Sequence, residues 1–316
     1  MTVQELSPDI RKTLVDAVRA LRDGALVAMP TETVYGLAAD AGNPDAVARV
    51  FAAKGRPSFN PLISHVANVD EAHIEGKLDA RARTLADAFW PGPLTMVVPV
   101  AETARSSELA RAGLSTMGLR VPAHPLAQAL LSEFAGPLSA PSANPSGRLS
   151  PTDATDVSRE LGDSVALIIN GGRCDTGIES TIVSVLPDEP VRLLRPGAIG
   201  RDAIEALVGE LAGAEINTIS APGQLSSHYA PRAAIRLEAT NAQPGEVLLG
   251  FGSRAPADAA NLSSAGDTVE AAANLYRLLR ELDAAGADTI AVMPIPDTGL
   301  GEAINDRLRR AAAPRP

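Results

Sequence analysis

Lys54-Gly-Arg-Pro-Ser-Phe-Asn-Pro-Leu-Ile-Ser-His65 is the stretch on which the reading of the fold turns. Upstream, residues 44–54 open with a proline and bring Val47, Val50 and Phe51 to one face, the pattern of an amphipathic helix. Gly55 suits the left-handed position that ends such a helix. Downstream of Pro61, residues 62–66 are a short apolar run with strand character. The twelve residues therefore read as a helix-to-strand junction carrying two cations, an amide and an imidazole. A lysine beside a planar arginine fork suits an anionic, phosphorylated ligand. The same residues also fit a basic helix end that complements the macrodipole.

Outward from this junction the chain alternates helix and strand. Ser7 and Pro8 read as an N-cap and first turn, with Ile10, Leu14, Val18 and Leu21 at helical spacing up to Gly24. Residues 25–29 read as a buried strand that delivers PTETVYG (30–36), two threonines, a glutamate and a tyrosine at a strand end, where open α/β sheets bind ligands. A β-branched continuation of the strand is the other reading of that motif. Helices are expected over 68–75, 78–89, 125–134, 152–161 (capped by Thr152 or Ser150) and 202–212. Strands are expected over 94–100, 115–121, 165–170, 179–185 and 191–195. Arg120, facing inward, would require an anionic partner; an exposed edge position is the bland alternative. Trp90 reads as a packing anchor. The Pro- and Ser-rich stretch 137–147 interrupts a regular rhythm and so reads as a binding loop rather than a linker. Residues 216–232 are irregular and read as a linker. A second α/β rhythm follows, with strands at 246–251 and 289–293 and helices at 268–285 and 301–312.

Composition narrows the function classes. The 316 residues, 45% hydrophobic and 21% charged, suit one large globular domain or, better, two. A net charge of −10 argues against a broad electrostatic grip on nucleic acid but leaves room for a local basic pocket. The single cysteine, Cys174, rules out an intramolecular disulfide framework and a Cys-rich zinc site, and reads as inert. No run of eighteen apolar residues occurs and the N-terminus lacks an apolar signal core, so a cytoplasmic protein with no membrane partner is expected. No G-x-x-x-x-G-K-[ST], G-x-G-x-x-G after a strand, H-E-x-x-H or G-x-S-x-G is present.

Seven stretches, PTETVYG (30–36), KGRPSFNPL (54–62), FWPGPLT (89–95), GLRVPAHP (118–125), SAPSANPSG (139–147), ESTIV (179–183) and RPG (195–197), stand in this order along the chain. Together they resemble the threonylcarbamoyl-AMP synthases of the YrdC-like fold, in their long two-domain form. The resemblance is dense over about the first two hundred residues, runs through HYAP (228–231) and is looser beyond. It implies an α/β fold: a YrdC-like twisted mixed sheet with a substrate cavity (1–213), a linker closing over the active site (214–232), and a small Rossmann-like C-terminal α/β domain (233–316). It also implies a reaction, in which L-threonine, bicarbonate and ATP give threonylcarbamoyl-AMP and pyrophosphate. The product would pass to a separate complex that modifies tRNA next to the anticodon. Such chemistry asks for positioning and charge neutralisation more than for a protein nucleophile.

Residue by residue, the resemblance assigns Lys54 and Arg56 to the ATP phosphates as the catalytic cations. Asn60, Thr116, Ser142, Asn144 and Ser150 would surround the nucleotide, Arg195 would reach it from the last strand, and Tyr229 would close over it. Thr33, His65, Arg120 and Ser180 would hold threonine, Arg120 pairing its carboxylate. His65 also reads as a satisfied core histidine, and His228 as structural or linker-exposed. Magnesium (Mg2+) would ride on the ATP phosphates rather than in a protein cage. Two departures from the family pattern are expected to tune the site: the linker residues Gln224 to Ser227, and Ser184 where an acidic residue is common. A double-stranded RNA- or tRNA-binding module is the alternative, opposed by the acidic charge and the lack of an aromatic-basic motif, so no stable nucleic-acid binding is expected. A carbamoyl-adenylate domain of hydrogenase maturation type is opposed by the missing Cys-rich and acylphosphatase segments.

Overall fold

The computed structural model describes residues 7–213, 221–222 and 227–314. The junction at 54–65 folds as its composition dictates. Helix α2 (Pro44–Lys54) is capped by the Asn43 side chain, which accepts from the backbone N–H groups of Asp45 and Ala46, and it ends at Gly55 with φ 58°. Strand β3 (Ile63–His65) follows and is buried on both faces.

Around β3 the first lobe builds one mixed sheet. Its other strands are β1 (Val27–Met29), β2 (Gly36–Asp40), β4 (Leu94–Pro99), β5 (Thr116–Arg120), β6 (Leu138–Ser139), β7 (Leu167–Ile168), β8 (Thr181–Ser184), β9 (Arg192–Arg195) and β10 (Ala212–Gly213). The order is β10-β9-β8-β4-β5-β3-β6-β2-β1-β7. Pairs β3/β5 and β4/β8 are parallel and β4/β5 antiparallel; His65 stands beside Arg120 in the β3/β5 register. Helices α1 (Pro8–Arg22) and α5 (Pro125–Phe134) pack together through Leu14, Leu21, Leu126 and Leu130. Helix α3 (Val69–Glu75) follows β3, and two further helices, α4 (Ala80–Phe89) and α7 (Arg201–Val208), meet over Leu85, Trp90 and Ile204. Trp90 is the expected anchor, its indole donating to the Leu94 carbonyl at 2.7 Å.

The second lobe is a four-stranded parallel sheet of β11 (Ala234–Arg236), β12 (Glu246–Gly250), β13 (Ala260–Asn261) and β14 (Thr289–Val292), ordered β11-β14-β12-β13. Helices α8 (Thr268–Ala284) and α9 (Gly301–Ala312) pack with it. Its core of Leu275, Leu279, Ile290, Ile304 and Leu308 is continuous with Val34, Leu149 and Ile178 of the first lobe and with Tyr229. The lobes share apolar interior. Among the described residues no helix is long and apolar enough to cross a membrane.

Several boundaries differ from expectation. The helix expected at 152–161 starts only at Ala154, because Asp153 rather than Thr152 or Ser150 caps it, accepting from Thr155 N–H (α6, Ala154–Leu161). Ser150 is instead committed to Glu179. The helix expected over 202–212 ends at Val208, and 212–213 pair with β9. Only Leu167 and Ile168 of 165–170 pair, against β1. Strand β2 was not anticipated, since its Gly-Leu-Ala-Ala-Asp run has little β-branched character and follows a motif that could itself continue as strand. Residues 30–35 form a turn instead, tied by Thr31, whose Oγ1 accepts from Val34 N–H and donates to Val34 O. Of the proposed linker, residues 214–220 and 223–226 lie outside the described residues, including the atypical Gln224.

Candidate active site

A cavity of about 560 Å3, its mouth included, opens between the sheet of the first lobe and the linker. Three loops converge on it: the turn after β1, the junction after α2, and the Pro- and Ser-rich loop after β6. The segment leading into β8 and the last residue of β9 complete the wall. Arg56, His65, Arg120, Ser142, Ser180, Arg195, Thr33 and Tyr229 all line it.

The junction holds one cation rigidly at the cavity. Arg56 donates from Nε to Asn60 O at 3.1 Å, and from Nη2 to Asn60 Oδ1 at 2.7 Å and Pro61 O at 2.8 Å. The remaining Nη1 makes no hydrogen bond among the described residues. Burial lowers this guanidinium to about 10, still cationic at neutral pH. Lys54 is placed differently. Its ammonium is buried and donates to the carbonyls of Ser142 and Asn144, clamping the next loop instead of lining the cavity. Burial, then the charge of Arg56, push its pKa well below the usual lysine range.

On the β3/β5 side, Arg120 finds the anionic partner its burial demands: Nη2 donates to Glu32 Oε1 at 2.7 Å and Nε to Gly92 O at 3.2 Å. Glu32 is anchored in turn by Ala123 N–H at 3.1 Å. Beside it His65 is held neutral, its pKa lowered to about 3 by burial and then by Arg120. Thr31 spends its hydroxyl hydrogen on Val34 O at 2.6 Å, so the 2.9 Å contact between Thr31 and Thr33 has Thr33 as donor. The Thr33 oxygen therefore keeps acceptor capacity.

The wall is completed from β8 and β9. Arg195 donates to Ser180 O at 2.9 Å and to Ser180 Oγ at 3.1 Å, and Ser180 Oγ also meets Thr95 Oγ1 at 2.7 Å. Next to Ser180, Glu179 accepts from Ser150 at 2.5 Å, from Tyr276 at 3.0 Å on both oxygens, and from Arg307 at 2.7 Å. Burial pushes this carboxyl upward, but Arg307, Arg195 and the donated hydrogen bonds outweigh it and hold it at about 2. Tyr229 covers the cavity with a backbone φ of 59° and its ring 4.1 Å from that of His228.

Of the residues assigned to ATP, Arg56, Ser142, Arg195 and Tyr229 line the cavity. Lys54, Asn60, Asn144, Ser150 and Thr116 do not. Asn60 holds Arg56, Asn144 is held within its own loop by bonds to the carbonyls of Pro145 and Arg148, and Ser150 holds Glu179. Thr116 starts β5 in register with Pro99. Thr33, His65, Arg120 and Ser180, assigned to threonine, come together from four separate segments. His228 is buried against the cavity rather than exposed on the linker, because the second lobe packs behind it. Cys174 is buried with its thiol pushed up to about 12, in keeping with an inert side chain. The sequence alone marks Thr31 and Glu32 as part of PTETVYG but gives them no role of their own, and it gives none to Thr95, Glu179, Tyr276 and Arg307 either. Glu32 and Glu179 sit inside recognised motifs, as carboxylates among small hydroxyl residues, and that was the available signal. Tyr276 and Arg307 carry none.

Known proteins share the sequence and the fold of this chain. A family model described as "Telomere recombination" (Sua5_yciO_yrdC) matches residues 19–197, and one described as threonylcarbamoyl-AMP synthase, C-terminal domain, matches residues 199–313. The threonylcarbamoyl-AMP synthase of Bacillus subtilis is 40% identical over 327 residues, covering 96% of this chain and 93% of its own. That of Pyrococcus abyssi is 39% identical over 320 residues, covering 93% and 92%. The crystal structure of P. abyssi Sua5 complexed with L-threonine superposes with a TM-score of 0.87 at 36% identity, over 95% of this chain and 94% of that one. Escherichia coli YciO, at 23% identity and a TM-score of 0.53, shares the fold over 60% of this chain and 91% of its own.

Proposed function

The chain belongs to the threonylcarbamoyl-AMP synthase family, an enzyme family of tRNA modification, and we propose that its cavity joins L-threonine, bicarbonate and ATP. The observation that carries this reading is the meeting, in one cavity, of two cationic groups: Arg56 with Arg195, and Arg120 beside a neutral His65. An amino-acid carboxylate suits the second and a polyphosphate the first.

The threonine amine and bicarbonate form a carbamate with loss of water. A carbamate oxygen then attacks the α-phosphorus, and the bond to the bridging oxygen breaks to release pyrophosphate. Arg120, held at a fixed angle by Glu32 and Gly92, would take the threonine carboxylate, with Thr33, Ser180 and His65 around the amine and hydroxyl. Arg56 and Arg195 would bear the charge that builds on the phosphates. Lys54 acts from behind, fixing the Ser142 to Asn144 loop against which the nucleotide would rest. Tyr229 would exclude water from the carbamate, a labile intermediate. Among the described residues no cluster of three or more His, Cys, Asp or Glu side chains could hold a metal ion. The cations and hydroxyls of the lining suit the polyphosphate itself, and a magnesium would arrive on ATP, where it would neutralise phosphate charge. The product would leave for a separate tRNA-modifying complex, and a cytoplasmic enzyme would suit that hand-off.

The test is pyrophosphate release from ATP and bicarbonate with and without L-threonine. Release should depend on threonine, fall by roughly 100-fold or more in Arg56→Ala, and show a threonine KM raised by roughly 10- to 100-fold in Arg120→Ala. Release indifferent to threonine would sink the reading.

A further inference from the structure

Helix α9 of the second lobe delivers one side chain into the wall of the cavity. Arg307 is 1% exposed. Its Nε donates to Glu179 Oε2 at 2.7 Å, and its Nη1 to Pro196 O at 2.8 Å and to Asp306 Oδ2 at 2.7 Å. Its guanidinium carbon lies 5.1 Å from the centre of the Tyr229 ring. Outside its own helix, each contact falls on a residue that lines the cavity or on the neighbour of one: Glu179 and Tyr229 line it, and Pro196 follows Arg195, which does. Helix α8 adds a second grip through Tyr276, whose hydroxyl reaches both oxygens of Glu179 at 3.0 Å.

Holding two lobes together does not require this arrangement. A buried guanidinium is costly unless every partner is in place, and apolar residues dock surfaces as well or better. The lobes already share an apolar core, and at the rim Arg201 pairs with Glu302 at 2.7 Å, both partly exposed and away from the cavity. What the buried arginine adds is direction. Glu179 and Ser180 are consecutive, Ser180 receives Arg195, and Pro196 is tied to the same guanidinium that ties Glu179. The β8 and β9 sides of the nucleotide end are thereby locked at a fixed separation by a residue 128 positions downstream of Glu179 and 111 downstream of Pro196.

We infer that Arg307, supported by Tyr276, is a positioning residue of the catalytic site, acting through Glu179, Pro196 and Tyr229 to fix Ser180 and Arg195 for the nucleotide. This gives the second lobe a role in catalysis and rests on the reading of the cavity as an ATP site. The test uses the full chain with Arg307→Met, Arg307→Lys and Tyr276→Phe, and with Arg201→Ala as an interface variant away from the cavity. ATP affinity is measured by calorimetry, beside KM and kcat for pyrophosphate release. Arg307→Met should weaken ATP binding by about tenfold or more, Arg307→Lys should recover part of it, and Tyr276→Phe should weaken it by about threefold. Arg201→Ala should bind ATP as the parent does even where its melting temperature drops. Unchanged ATP affinity in Tyr276→Phe and Arg307→Lys, or an equal loss in Arg201→Ala, would overturn the inference and leave a purely structural tether. Where Arg307→Met does not fold, the other two substitutions decide. A parent enzyme that binds ATP but releases no pyrophosphate with threonine would refute the proposed reaction and leave the positioning result standing; one that binds no ATP would refute both.

Discussion

His65 and His228 are both buried against the cavity, and burial lowers both to about 3, helped by Arg120 at His65 and, at His228, opposed by Glu179 but helped by Lys54, Arg56 and Arg195. In the unfolded chain each titrates near its ordinary value of about 6.5. Above that pH both states are neutral and the full stability is present. As the pH falls below it, the unfolded chain takes up protons that the folded chain refuses, and stability drains away until the folded value is reached. Each imidazole contributes up to about 1.4 kcal/mol per pH unit in that window. Denaturant midpoints measured between pH 7.5 and 5 should fall steadily in the parent and less steeply in His65→Gln with His228→Gln. An equal slope in the double substitution would show that these histidines are solvated in the fold. That His65 belongs to a site was legible from its place in the junction. That it is neutral was not, because the burial and the Arg120 charge that keep it so come from other segments.

At the scale of elements, the close approach of two backbones explains RPG (195–197). A Cβ on Gly197 would lie 2.4 Å from Thr181 N and 2.6 Å from Glu179 O, so no side chain fits where the chain leaves β9 and passes the start of β8. That crossing is also where Ser180 and Arg195 meet. Gly197→Ala should force the backbones apart, cost about 1–3 kcal/mol or more, and raise the KM for ATP; thermal melting beside steady-state kinetics would read both. A substitution that melts with the parent and keeps its KM would mean the two segments have room to shift. Amphipathic helices with capping residues, such as 8–22 and 44–54, were readable from spacing alone. Strand β2 and the two-residue strands β6 and β10 were not, because pairing with neighbours rather than local propensity makes them strands.

For the whole molecule, the shared interior of the two lobes makes them one folding unit. Val34, Leu149 and Ile178 pack with Leu275, Tyr276 and Ile304, and Arg280 of α8 pairs with Asp156 and Glu160 of α6. Trp90, the single tryptophan, lies in the apolar cluster beneath α4 and reports only on the first lobe, whereas far-UV circular dichroism includes α8 and α9. Urea transitions followed by the two probes should therefore coincide. A dichroism step that leaves Trp90 fluorescence unchanged would show a second lobe melting by itself and would contradict the common core.

Local order along the chain determined the α/β class, the helix-to-strand junction at 54–65 with Arg56 and His65, and the loop at 137–147, because side-chain chemistry and turn geometry are short-range properties, while Ser180 and Arg195 were marked only by the resemblance of their motifs to a known family. The tertiary structure alone decided which charges face the cavity and which stand behind it. It turned Lys54 onto the carbonyls of its neighbouring loop, gave Arg120 to Glu32, and drew Tyr276 and Arg307 onto Glu179. A buried ion must be paired wherever the fold brings a partner, and that partner stands 88 residues away for Arg120 and 128 for Arg307, beyond the reach of any local pattern.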